Sequence, residues 1–160
     1  CIWLVNQKGY DAILSLLDIT NIEIRIEAAQ ILSSIYKNNL SNQPKIDDYG
    51  NIKKLINSLN FENVKEAAGK KISMLTNLIC GFNDIRFKFF YLNGLEAMMN
   101  TCLKFNSFYC EFGILIDNIL DNDENDDLLI LKGKILPFLI EHKLKFDCED
   151  LISNIISKLK

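Results

Sequence analysis

The chain has 160 residues, of which 49% are hydrophobic and 24% charged, and its formal net charge is −3. The hydrophobic content, together with only two prolines, excludes an intrinsically disordered chain and favours a helical one. The acidic balance argues against nucleic-acid binding, which usually needs a basic surface, and no uninterrupted apolar run approaches the ~18 residues of a membrane span. We therefore expect a domain that contacts neither nucleic acid nor membrane.

In chain order, the same arrangement of predicted elements recurs four times. Each unit has a glycine, then a short apolar run with helical spacing, then a polar break and a longer run. The glycines are Gly9, Gly50, Gly94 and Gly133. The short runs cover 10–18, 51–60, 95–104 and 134–143, and the long runs cover 23–38, 63–81, 107–121 and 148–160. Apolar residues at i, i+3, i+4 and i+7 predict an amphipathic helix for each run.

A period of about forty residues with two or three helices per unit is typical of armadillo and HEAT repeats. We therefore predict an all-α fold, namely an armadillo-type α-solenoid of about four repeats near 1–38, 39–82, 83–122 and 123–160. Each glycine is expected to form a sharp turn at positive φ between the first two helices of its unit. Residues 1–7 resemble the end of a first helix, so we expect a fragment that lacks N-terminal repeats.

The long runs, which would be the third helices of the units, carry apolar stripes that we expect to be buried. The first two stripes are Ala28, Ile31, Leu32 and Ile35, and then Ile72, Leu75, Leu78 and Ile79. Leu75 and Ile116 are both expected in the core. Pro44 is expected at the start of a first helix, and Pro137 in the first turn of the last second helix, where proline fits.

A small polar position recurs in the third helices, at Ser34, Asn77, Asn118 and Asn154. Residues four and seven positions earlier share its helix face, and most of them are polar. We assign this face to partner binding on the concave side of the solenoid. The assigned set is Glu27, Gln30, Ser34, Lys70, Ser73, Asn77, Glu111, Asn118, Asp150 and Asn154. A solvated face whose asparagines bond the neighbouring backbone is an equally good interpretation, and the two are compatible.

The sequence carries no recognisable catalytic, metal or cofactor motif, so we expect neither an enzyme nor a cofactor. Its single histidine, His142, is expected to be solvated and not a catalytic base, and no Ser/His/Asp or Cys/His arrangement can be built without it. Five cysteines without a CxxC pair are expected to be buried thiols in a reducing compartment. The acidic run 121–127 departs from a calcium-binding loop at its sixth and twelfth positions and is expected to be a solvated loop.

Several stretches carry a family resemblance, in order and over nearly the whole chain. They are 25–32 (RIEAAQIL), 37–43 (KNNLSNQ), 49–55 (YGNIKKL), 89–95 (FFYLNGL) and 144–147 (LKFD). Together they resemble the armadillo-repeat nucleotide exchange factors of 70-kDa heat-shock chaperones, the Fes/HspBP/Sil group. The resemblance implies a co-chaperone that binds the chaperone's ATPase domain with its concave face and promotes ADP release. Gly113 and Ile114 depart from the alanine and polar residue usual in that family.

Two alternatives remain open. One is an armadillo adaptor that binds an extended peptide. Such grooves pair their asparagines with tryptophans when they bind basic signals, whereas the only tryptophan here is Trp3, outside any third helix. The other alternative is a scaffold segment of a larger repeat protein. For the favoured function we expect a monomer in the cytoplasm, with the lumen of the endoplasmic reticulum as the alternative compartment.

Overall fold

The computed structural model describes residues 7–38, 49–81, 83–121 and 126–160. These residues form helices joined by turns, and none of them lies in a β-strand, which confirms the all-α prediction. The α-helices are α1 (Gln7–Ser15), α2 (Ile22–Asn38), α3 (Tyr49–Asn60), α4 (Lys65–Gly81), α5 (Asn83–Tyr91), α6 (Gly94–Phe105), α7 (Tyr109–Asp121), α8 (Asp126–Glu141) and α9 (Glu149–Leu159). Within these ranges, no helix is both long and apolar enough to cross a membrane.

The chain divides into two compact units, and the first comprises Cys1–Thr101. Its most extensive helix contact is between α2 and α4. Arg25, near the start of α2, binds Glu62, which lies just before α4. Asn77, near the end of α4, donates a hydrogen bond to Ser33 in the second half of α2. The starts of the two helices are therefore in contact, and so are their later turns, which means that α2 and α4 run parallel.

The second unit comprises Cys102–Lys160, and α7 and α9 run parallel within it. At the starts of the two helices, the sulfur atoms of Cys110 and Cys148 are 2.6 Å apart. At their ends, Nζ of Lys158 lies 2.9 Å from Asp117 and 2.6 Å from Asp121. The remaining helix of the unit, α8, packs against α9 and α7.

The bounds of α2, α4, α7 and α9 agree with the four predicted long runs to within two residues at each end. Polar residues fix the starts of two of these helices, α2 and α4. The side-chain oxygen of Asn21 accepts a hydrogen bond from the backbone N–H of Ile24, which caps α2. Before α4, the Glu62 carboxylate accepts the backbone N–H groups of Asn63 and Val64. These caps satisfy donors that would otherwise lack a partner at a helix N-terminus.

The turns predicted at the glycines are wrong. All seven glycines fall within the described ranges, and none has a positive φ. Gly94 is the first residue of α6, and the other three glycines of the predicted row lie inside α1, α3 and α8. The left-handed residue before α6 is instead Asn93, with a φ of 62°. Glycine is needed at 94 for space, because a Cβ there would lie 2.3 Å from the buried Phe89 ring.

The prediction for Pro137 is also wrong, because this residue lies in the interior of α8 and not in a first turn. The helix is continuous through Gly133, so the expected break between a first and a second helix is absent there. The apolar period continues on both sides of that glycine, and a helix interior tolerates glycine at a cost of about 1 kcal/mol. Pro44 and positions 122–125 of the acidic run lie outside the described residues.

The predicted core is largely confirmed. Leu75 and Ile116 are fully buried, as is the whole apolar stripe of α4. In α2, Ala28 and Leu32 are buried and Ile35 is only half-buried. Ile31 is 37% exposed, so its predicted burial is wrong. The reason is helical geometry: position 31 shares a face with positions 27 and 34, and that face is open to water.

Candidate functional site

In the first unit, the candidate binding residues lie on accessible parts of α2 and α4. Their side chains are exposed or half-buried: Glu27, Gln30, Ser34, Lys70, Ser73 and Asn77. Asn77 joins the two helices, because its Nδ2 donates a 2.7 Å hydrogen bond to Oγ of Ser33. Ser34 bonds within its own helix, with Oγ donating to the carbonyl of Gln30 at 3.0 Å. The polar row is thus reached by solvent, and one of its asparagines holds the helix pair together.

The α2 part of this surface also carries apolar side chains that the sequence did not indicate. Ile24 is 41% exposed, and Ile31 lies about two turns further along the same face. Both alternate with the candidate residues Glu27 and Ser34. The helical spacing alone could not separate them from the buried stripe, because Ile31 fits either face. Protein-binding surfaces commonly combine apolar contacts with a polar rim.

In the second unit, Glu111 and Asn118 on α7 and Asp150 and Asn154 on α9 are all exposed. Ile114 lies between the two α7 residues and is 49% exposed, so this face also carries an isoleucine. The candidate side chains here are acidic or neutral, whereas the first unit contributes both Glu27 and Lys70. The candidate faces of the two units therefore differ in charge.

A pair of cysteines in the second unit was not predicted. Cys110, the second residue of α7, and Cys148, the residue before α9, have their sulfur atoms 2.6 Å apart. Both are half-buried, as is Cys80, so the expectation of uniformly buried thiols is wrong. Of the cysteines in the described ranges, Cys102 is the buried one. The alignment of the four long runs did contain a signal, because Cys110 and Cys148 each stand near the start of one.

A buried ionic network joins Arg25, Glu62 and Lys71 in the first unit. The Arg25 guanidinium donates two parallel hydrogen bonds to the Glu62 carboxylate, each 3.0 Å long. Nζ of Lys71 lies 2.8 Å from the same carboxylate and donates to the carbonyls of Leu17 and Ser58. The Arg25 guanidinium also reaches the backbone of residues 19 and 20. The network thus fixes the turns that precede α2 and α4.

Hydrogen bonding keeps this network charged. Burial by itself would raise the pKa of Glu62, but the bonds from Arg25 and Lys71 outweigh burial and lower that pKa to about 2. Burial lowers the pKa of Lys71, and the Glu62 carboxylate opposes that change. The three groups line an open cavity of about 340 Å³ together with Asp18 and Phe61. The network has two cations and one anion, and the exposed Asp18 carboxylate lies 3.9 Å from Nζ of Lys71 as a further negative charge. Because each buried charge has a partner of opposite sign, we assign the network a structural role.

His142 was expected to be solvated, and the structure corrects this. Its side chain is 14% exposed, and its ring lies 4.8 Å from that of Phe138 and 6.4 Å from that of Tyr109, centroid to centroid. It therefore belongs to an aromatic cluster in the second unit. In the described part of the chain, no three histidine, cysteine, aspartate or glutamate side chains are grouped as a metal site.

Comparison with known proteins gives no match, since no family model fits the sequence and no curated protein is significantly similar to it. The accessible side chains of the candidate helix faces are mixed polar groups and single isoleucines, with one cross-helix hydrogen bond from Asn77.

Proposed function

We propose that this chain is a co-chaperone that binds the ATPase domain of a 70-kDa heat-shock chaperone and promotes ADP release. The observation that carries the proposal is the accessible face of the parallel helices α2 and α4, which combines Glu27 and Lys70 with the exposed Ile31. The family resemblance of the sequence supplies the identity of the partner. Residues 25–32, which carry part of that resemblance, contribute directly to this face.

Nucleotide exchange of this kind requires no catalytic side chain. The co-chaperone binds the open form of the ATPase domain better than the closed form. Linkage then requires that it weaken nucleotide binding by the same ratio. A hundredfold weakening corresponds to a preference of about 2.7 kcal/mol for the open form. Such a preference needs a surface that keeps its shape on contact.

The first unit has features that favour such a rigid surface. The Arg25–Glu62–Lys71 network fixes the turns before α2 and α4, and Asn77 joins the two helices further along. A preorganised surface loses little conformational entropy on binding, so more of the contact energy is available to discriminate between the two forms. The isoleucines supply apolar contact, and Lys70 supplies charge.

The test is stopped-flow release of a fluorescent ADP analogue from a chaperone ATPase domain, with the protein titrated in. We expect a release rate that rises with protein concentration and a complex that excess ATP dissociates. The variant Lys70→Glu should raise the half-maximal concentration by about tenfold, equivalent to ~1.4 kcal/mol. Lys54→Glu is the matched control, because it makes the same charge change on the exposed side of α3.

Circular dichroism would establish that both variants keep their helicity. The proposal is wrong if the folded protein accelerates release from neither a cytosolic nor a reticulum chaperone. It is also wrong in its choice of surface if Lys54→Glu and Lys70→Glu weaken exchange equally. In the first case, binding to an array of extended peptides would test the adaptor alternative.

A further inference from the structure

The thiols of Cys110 and Cys148 lie in contact within the second unit. Their sulfur atoms are 2.6 Å apart, and a disulfide bond is about 2.05 Å long, so a small side-chain adjustment brings them to bonding distance. Both residues are half-buried and so remain open to a small reagent. Neither side chain is used by the surface proposed above, and the pair is therefore an independent feature.

The packing of α7 against α9 determines this proximity. A Cβ at Gly113 would lie 2.8 Å from Cδ1 of Ile152, so glycine allows the two helices to approach closely one turn after the cysteines. At the far ends of the helices, Lys158 binds Asp117 and Asp121. Contacts along the helix pair, one turn after the cysteines and at the helix ends, therefore bring the thiols together without any help from a covalent bond.

We propose that Cys110 and Cys148 are a redox modification site, which forms an intramolecular disulfide by exchange with a low-molecular-weight disulfide such as oxidised glutathione. In the first step, one cysteine thiolate attacks the external disulfide, forms a mixed disulfide and releases one glutathione thiolate. In the second step, the other cysteine attacks the sulfur of its neighbour and releases the second glutathione. The protein loses two electrons and two protons, and one glutathione disulfide is reduced to two thiols.

The surroundings of the pair slow this exchange. Burial, followed by the contact with Cys110, raises the pKa of the Cys148 thiol to about 12. The thiolate is the attacking form, so a raised thiol pKa lowers the rate of attack at neutral pH. Because the two sulfur atoms are in contact, either cysteine can make the first attack and the other then completes the exchange.

Oxidation would change the part of the second unit that carries candidate binding residues. Glu111 follows Cys110 directly, and Asp150 lies two positions after Cys148. The disulfide would join the first turns of α7 and α9, which otherwise meet through packing alone at that end. We expect the oxidised form to expose the amides of these first turns to solvent less often, and to slow their hydrogen exchange.

The experiment counts thiols. The reduced protein is equilibrated with oxidised glutathione, quenched in acid, denatured, labelled with a maleimide and weighed by mass spectrometry. We expect the number of labelled thiols to fall from five to three, with no glutathione attached. A tryptic digest should show a link between the peptides 105–132 and 146–158, which contain Cys110 and Cys148. Dithiothreitol should restore all five thiols.

Single serine variants provide the controls, since serine is nearly isosteric with cysteine. Cys80→Ser removes a half-buried cysteine outside the pair and should still lose two thiols on oxidation. Cys148→Ser should form no internal disulfide and should instead accumulate a glutathione adduct on Cys110. The proposal is overturned if the parent protein keeps five labelled thiols under oxidised glutathione. It is equally overturned if Cys148→Ser, folded by circular dichroism, loses two thiols as the parent does.

Discussion

Glu62→Gln tests the buried network most directly. The Glu62 side chain is 2% exposed and bonds both Arg25 and Lys71. Glutamine keeps the shape of the side chain but removes the negative charge, so two buried cations would lose their counter-ion. Breaking a buried pair by removing one partner typically costs 3–5 kcal/mol, because the remaining charge is uncompensated.

The pKa of Glu62 gives a second value for the loss of stability in Glu62→Gln. It falls from 4.5 to about 2 in the folded chain, which corresponds to about 3 kcal/mol of stability from the ionised carboxylate. Because the folded-state pKa is the lower one, this contribution is fully present above pH 4.5 and disappears as the pH falls towards 2. The two routes agree on a destabilisation of about 3 kcal/mol at pH 7.

The assay is guanidinium chloride unfolding, followed by circular dichroism at several values of pH. We expect Glu62→Gln to lower the free energy of unfolding of the first unit at neutral pH and the difference from the parent protein to shrink in acid. Glu66→Gln is the matched control, because Glu66 lies in the first turn of α4 and is exposed. Its substitution should change stability by less than about 0.5 kcal/mol.

Two results would refute this reasoning. If Glu62→Gln and Glu66→Gln were equally mild at pH 7, the network would contribute nothing specific. If the loss in Glu62→Gln stayed constant from pH 7 down to about pH 2, its cause would be packing and not charge.

Further predictions concern packing, and all are measured as shifts in the denaturant midpoint. Leu75→Ala should cost about 2–5 kcal/mol, because Leu75 is fully buried and its removal leaves a cavity; an unchanged midpoint would contradict its place in the core. Gly94→Ala should cost about 1–3 kcal/mol, because its Cβ would meet the Phe89 ring. Gly133→Ala is the contrasting case and should gain up to about 1 kcal/mol, because nothing lies within 4 Å of its added Cβ and the site is helical. If both alanines had the same effect, the steric role of Gly94 would be wrong.

The sequence by itself determined four of the helices closely. The spacing of apolar residues predicted α2, α4, α7 and α9 to within two residues, because an amphipathic period is a local property of the chain. The same pattern predicted the burial of Leu75 and Ile116 and the accessibility of the polar row, since a helix face that is not apolar has no reason to be buried. Local pattern was also enough to exclude a disordered chain.

The local sequence pattern was insufficient where steric contacts and neighbouring helices determine the role of a residue. The recurrence of glycines suggested turns, yet Gly94 is required by the Phe89 ring and Gly133 lies in the middle of a helix. Ile31 fits a buried stripe and an exposed face equally well. Only the side of α2 on which α4 packs decides between the two. A one-dimensional period contains no information about which neighbour approaches a given position.

Only the tertiary structure brought together groups that are far apart in the chain. Arg25 and Glu62 are separated by 37 residues, and Cys110 and Cys148 by 38. Their contacts depend on two helices running parallel, with a displacement close to the repeat period. The physical reason is that helix formation depends on hydrogen bonds between near neighbours, whereas charge pairing and thiol contact depend on distances that packing alone determines.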